Sequence, residues 1–277
     1  MIDITGNMSF ANGLTSVGFG SSDVLVRRVW VLSPTHALVN VQVAPNAQLG
    51  ASSASVISGF QVFSQPAAFQ ITAGDPNLPV IEPTLINAIW LPSGAFPGSI
   101  VSLFGSNLAA PNQGGATTIL TLNDQPVKIL YASPLQINLI VPASLQPGPA
   151  ILRLNNSATQ AYPVVVSIDP VPPSITSVQD LSNSKLGPNN PAQPGDVLNL
   201  LVNGLALPSS TIAPGRVHVK VGGRDTAAGS VISANGSAYT VQFKLDASVA
   251  AGAQVPLTVS IDGKTSLPVY IPIAPLP

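Results

Sequence analysis

Cysteine is absent from this chain, which excludes a disulfide frame, a thiolate nucleophile and cysteine-based zinc ligation together. Charge is scarce as well. Only 8% of the 277 residues are Asp, Glu, Lys or Arg, against roughly 25% in an average domain. Glutamate occurs once, at Glu82. Helix surfaces are built mainly from Glu, Lys, Arg and Gln, so this shortage argues against helices and leaves Ser, Thr, Asn and Gln to face water. A net charge of −1 offers no basic patch for nucleic acid and no basic amphipathic stretch for a membrane surface. No apolar run reaches the roughly 18 residues of a membrane span. The opening MIDITGNMSF has neither the basic n-region nor the apolar h-region of a secretory signal.

Proline and glycine are abundant instead, at 28 and 23 residues. A proline inside a helix removes a hydrogen bond and clashes with the preceding turn, so few windows here can hold a helix. What fills them is short apolar alternation closed by turn residues. Leu38–Val43 alternates with period two, as do Val217–Val221, Tyr239–Leu245 and Leu257–Ile261, the pattern of half-buried strands. Gly222-Gly223 and Asp262-Gly263 supply hairpin turns that need positive φ at both central residues; Asn12-Gly13 and Asn235-Gly236 are further candidates.

The chain also repeats itself. Residues 97–109 read PGSIVSLFGSNLA and residues 194–206 read PGDVLNLLVNGLA. A second unit, a strand followed by a short loop reaching a glycine and a further strand, occurs three times: before Gly50, before Gly148 and before Gly252. Ser33-Pro34 and Ser133-Pro134 precede two of its copies. Such repeats mark tandem copies of one supersecondary plan. With proline-rich joints at 74–79 and 168–173, the expectation is an all-β chain of three tandem β-sandwich domains over 1–74, 75–171 and 172–277. The first is expected to lack its first strand, which suggests a segment of a longer polypeptide with domains upstream.

Residues Ile4-Thr5-Gly6-Asn7, Phe10, Gly13, Thr15, Val17-Gly18-Phe19-Gly20, Ser33-Pro34-Thr35 and Ala44-Pro45…Gly50 resemble the IPT/TIG immunoglobulin-like domain. Residues 80–277, through Pro97–Ala109, Leu130–Asn138, Val141-Pro142, Pro194-Gly195-Asp196 and Val221-Gly222-Gly223, resemble a C-terminal region of large secreted proteins of soil bacteria. The resemblance implies an immunoglobulin-like fold and an extracellular or cell-surface setting. It implies no defined activity, and no functional residue carries over.

Chemistry is sparsely written. His36, in the turn after Ser33-Pro34, and His218, on a strand, stand alone, without metal-ligand spacing. No nucleophile elbow, P-loop or dinucleotide fingerprint occurs. The carboxylates are scattered singly; Asp75 and Asp169, at the joints, are the acids most able to assist a structural calcium. The expectation is a protein that is not an enzyme and needs no cofactor. It would be an adhesion or spacer module whose partner is a protein or polysaccharide surface. The alternative is a carbohydrate-binding accessory module, which would present exposed rings among Trp30, Trp90, Tyr131, Tyr162, Tyr239 and Tyr270. Trp30, Trp90 and Tyr131 are the candidate ligand or interdomain contacts. Aliphatic neighbours flank both tryptophans and favour packing for them. Arg27-Arg28 reads as charge guarding a strand edge.

Overall fold

The computed structural model describes residues 1–87, 94–110, 118–205, 211–234 and 238–275. Among them are 23 strands and a single short 3₁₀ turn, Pro214–Arg216. No helix among the described residues is long and apolar enough to cross a membrane.

The first sandwich holds β1 (Ile2–Thr5), β2 (Thr15–Gly18), β3 (Val24–Ser33), β4 (His36–Val43), β5 (Gly50–Ser58) and β6 (Gln61–Ile71). They form two antiparallel sheets ordered β1-β4-β3 and β2-β5-β6. The second holds β7 (Val80–Asn87), β8 (Ile100–Ser106), β9 (Ile119–Leu122), β10 (Gln125–Pro126), β11 (Lys128–Ala132), β12 (Gln136–Ile140), β13 (Gly148–Asn155) and β14 (Val164–Ile168). Its sheets are β11-β12-β8-β7 and β10-β9-β13-β14. The third holds β15 (Ser174–Gln179), β16 (Val197–Asn203), β17 (Val217–Val221), β18 (Arg224–Ala227), β19 (Ser230–Ser233), β20 (Ala238–Lys244), β21 (Gly252–Ile261), β22 (Lys264–Thr265) and β23 (Val269–Ile273). Its sheets are β15-β16-β20-β19 and β18-β17-β21, with β22 and β23 both paired to β21. In the second and third, the first, second, fifth and fourth positions of the immunoglobulin plan make one sheet and the remainder make the other. The first sandwich follows the same plan. Among the described residues β1 pairs only with β4, whereas its counterparts β8 and β16 are paired on both sides.

The thirteen-residue repeat has a backbone cause. Gly98 and Gly195 sit at φ +82° and +94°, which glycine tolerates without a Cβ clash. That turn lets Gly98 N–H donate to Val141 O (2.9 Å) and Gly195 N–H to Leu245 O (3.0 Å), while Val141 and Leu245 return bonds to Ser99 and Asp196. The start of β8 or β16 is thereby tied to the end of its neighbour in the same sheet. The closing Leu108 and Leu205 both turn into the core. Gly50, Gly148 and Gly252 each open a strand.

Alternation delivers three interiors. Val101, Leu103, Ile137, Leu139, Leu152 and Val166 belong to the second sandwich's core, and Val217, Val219, Tyr239, Val241, Phe243 and Leu257 to the third's. The first is thinner: Phe19, Val24, Val39 and Ile71 form one cluster, Phe10, Ala37 and Val56 another. The chain divides into two compact units, Met1–Pro170 and Val171–Pro277, so the first two sandwiches share a unit. Strand β4 corrects the simple alternation expected over Leu38–Val43. Residues 37–40 are buried on both faces, because the outer face of β4 is covered by the second sandwich.

Candidate functional site

Trp30 and Leu38 lie opposite each other on β3 and β4, and the even-numbered residues of β4 share their outward face with Trp30. That face meets the edge of β14: Trp30, Leu38 and Val165 form one buried cluster, with Met1 and Ile151 packed against it. Burial of these side chains contributes about 25 cal/mol per Å² of apolar surface removed from water. The decisive polar group is Asn40, only 3% exposed. Its Nδ2 donates to Val165 O (2.8 Å), and its Oδ1 accepts from Val165 N–H (2.9 Å). One side-chain amide thus does for β14 what a neighbouring strand would do, satisfying both outward backbone groups of an edge residue. The Arg28 guanidinium lies 4.9 Å from the Trp30 ring centroid, a cation–π distance. Arg27, beside it, donates to the Gln42 side chain. Trp30 Nε1 is buried without a hydrogen-bond partner among the described residues.

A second place combines polar groups. At the end of β1 and the β3–β4 turn, Thr5, Gly6, Asn7, Ser33, Thr35 and His36 line an open depression of about 590 Å³. His36 is the first residue of β4 and not part of the preceding turn, and its Nε2 lies 2.8 Å from Asp3 Oδ1. Ser33 Oγ and Thr35 Oγ1 are 3.4 Å apart. The open wall keeps these groups in water, where an exposed pair contributes little. His218 pairs with Asp225 at 3.2 Å.

The remaining candidates are dispersed. Tyr131 stands half exposed on β11, at a register shift next to Ile129. Tyr162 and Tyr270 are exposed, whereas Tyr239 is 1% exposed in the third core and presents no ring to solvent. Trp90 lies outside the described residues. Of the acids considered for calcium, Asp75 accepts from Asn77 N–H (2.8 Å) and Asp169 N–H donates to Ala95 O (2.6 Å). No group of three His, Cys, Asp or Glu able to hold a metal occurs among the described residues.

No protein-family model matches the chain, and a search of curated proteins gives no match. Among solved structures the chain is similar to the surface glycan-binding protein PbSGBP-B from Prevotella bryantii, at 13% identity over 71% of this chain and 42% of that one, with a TM-score of 0.27. It is similar to SGBP-B of the Bacteroides ovatus mixed-linkage glucan utilization locus, at 12% identity over 98% and 64%, with a TM-score of 0.30. The immunoglobulin tandem domains of titin align at 12% identity over 71% and 96%, with a TM-score of 0.24. The chain therefore spans 42% and 64% of the two glycan-binding chains. Similarity at this level extends to neither a site nor a ligand.

Asn40 was not visible as a functional residue in sequence. In Leu38-Val39-Asn40-Val41 it occupies a place where a polar residue reads as solvated. The only hint was Leu38, an apolar residue on the same outward face.

Proposed function

We propose that this chain is a non-enzymatic spacer and adhesion module of a secreted or cell-surface bacterial protein, in which immunoglobulin-like sandwiches set surfaces at fixed spacing. The Asn40–Val165 clamp carries the reading. A buried, doubly bonded amide at a junction has value only if two sandwiches are to be held in one orientation, because a flexible joint would leave those groups to water. The first sandwich is assigned to the IPT/TIG type on Gly6, Phe10, Phe19 and Ser33-Pro34, and the domain limits are 1–74, 75–171 and 172–277. The partner is a protein or polysaccharide surface, and the low charge disfavours nucleic acid. Relaxation of backbone ¹⁵N nuclei tests the clamp. The first two sandwiches should tumble with one correlation time in the native chain and with separate ones in Asn40→Ala. Independent tumbling in the native chain, or turnover of chromogenic ester or glycoside substrates, would sink the reading.

A second reading, a carbohydrate-binding accessory module, is favoured by the exposed rings of Tyr131, Tyr162 and Tyr270, since a solvent-facing ring offers an apolar face to a ligand. Polysaccharide pull-down with the native chain and Tyr131→Ala separates the two. Native binding lost on that substitution supports a carbohydrate site at Tyr131; absence of native binding leaves the spacer.

A further inference from the structure

The three strands that close the immunoglobulin plan, β6, β14 and β23, are equivalent edges treated differently. Val165 on β14 has both outward backbone groups bound by Asn40. On β23, Pro272 O accepts from Ala192 N–H (3.0 Å) and Ala274 N–H donates to Ala192 O (2.8 Å). Among the described residues no strand pairs with the outward edge of β6, although Phe69 and Ile71 at its end pack into the first interior. Its hairpin with β5 has the two-residue loop Gly59-Phe60 between the paired Ser58 and Gln61. In such a hairpin the flanking pair is hydrogen-bonded and the pairs alternate from there. The N–H and C=O of Val62 and Ser64 therefore point away from β5, toward the open edge.

That edge carries no charge. Phe60, Val62 and Phe63 are exposed along it, Phe60 completely, and no charged residue occurs from Pro45 to Gly74. Other edges are guarded: β3 carries Arg27 and Arg28, β7 carries Glu82, β11 carries Lys128, and β18 carries Arg224 and Asp225. The uncharged β2, β15 and β19 are only four to six residues long, whereas β6 runs for eleven. Its one guard, Pro66 with Ala67 at φ +51°, lies beyond Gln65 and leaves Gln61–Gln65 free to pair.

We propose that β6 pairs antiparallel with β6 of a second copy of this chain, making a two-fold dimer through a continuous sheet. A second copy is the favoured occupant for two reasons. An uncharged patch meets itself without like-charge repulsion, and an antiparallel edge is self-complementary under a two-fold axis. One register uses the outward groups of both residues: Val62 opposite Ser64 of the second copy and Ser64 opposite its Val62, four hydrogen bonds in all. Phe63 then faces its own copy across the axis at a non-hydrogen-bonded pair, where Cα atoms lie about 4.5 Å apart. Sliding the register outward would bring Pro66, which has no N–H, opposite a donor-seeking carbonyl.

The test uses the full chain. Sedimentation equilibrium should show a monomer–dimer equilibrium. Val62→Lys and Ser64→Pro should each raise the dissociation constant at least about tenfold, the equivalent of about 1.4 kcal/mol, with native circular dichroism and melting retained. Because the chain has no cysteine, Phe63→Cys under mild oxidation should give a covalent dimer, and Tyr131→Cys should not. This readout stands even if Ser64→Pro fails to fold. A native chain that stays monomeric at its highest soluble concentration overturns the proposal. So does a dimer indifferent to Val62→Lys, cross-linking of Phe63→Cys no faster than Tyr131→Cys, or a monomer whose β6 edge is protected by added protein or polysaccharide.

Discussion

A single amide illustrates how much one residue can decide here. Replacing Asn40 by Ala leaves the N–H and C=O of Val165 buried without partners, and each such group costs about 1–3 kcal/mol. Asn40→Ala should therefore destabilise the Met1–Pro170 unit by about 2–4 kcal/mol in urea titration, well above the change expected for a surface Asn. Charge acts through few residues, so its pH signature is narrow. Asp180 is held below the usual carboxylate range, chiefly by the Asn190 side chain, with the Ser184 and Ser182 N–H groups adding to it. The Arg216 side chain lowers Asp262, and Ser248 lowers Asp246. A depressed carboxylate contributes stability that is complete above its ordinary value, about pH 4, and is lost as pH falls through the lowered one. Denaturation midpoints of the native chain should hardly respond to these groups between pH 5 and 7 and should fall in stronger acid. Asp180→Asn should flatten that acid limb.

At the scale of strands and turns, the repeated glycines have different jobs. Gly98 and Gly195 have open space where a Cβ would project, so alanine there meets only the left-handed backbone penalty, about 1–2 kcal/mol. A Cβ on Gly105 would fall on the Val80 carbonyl oxygen and crowd Leu108. Gly105→Ala should thus cost more than Gly98→Ala in thermal melts, because β7 must move off β8. Strands were legible wherever one face meets a core and the other meets water: Val217–Val221 and Ala238–Lys244 alternate in burial along their full length. The turn Asn123-Asp124, at φ +47° and +63°, has the geometry that Asp262-Gly263 announces openly. It carried no glycine to advertise it.

For the molecule as a whole, two compact units predict two calorimetric transitions. Asn40→Ala should lower the one belonging to Met1–Pro170 and leave the other in place; a single transition shifted as one would contradict that division. The candidate surfaces were less legible than the fold. Trp30, flanked by Val29 and Val31, reads as a packing residue rather than a ligand platform, but what it packs against is not written locally: its position against Val165 depends on a residue 135 places away in sequence. Phe60 and Val62 are apolar yet exposed. Phe60 sits in the two-residue β5–β6 turn, and Val62 pairs with Ile57 on the face opposite the buried Val56.

Composition and period-two patterning by themselves pointed to an all-β chain of repeated domains, since side-chain alternation and turn chemistry act over a few residues, while the immunoglobulin-like plan came from the resemblance. Which outward faces are covered was decided only in three dimensions. Asn40 and Val62 occupy similar alternating places on their strands, yet one is sealed against β14 and the other is left open. The difference lies in which distant strand the chain brings beside each, and no local rule records that.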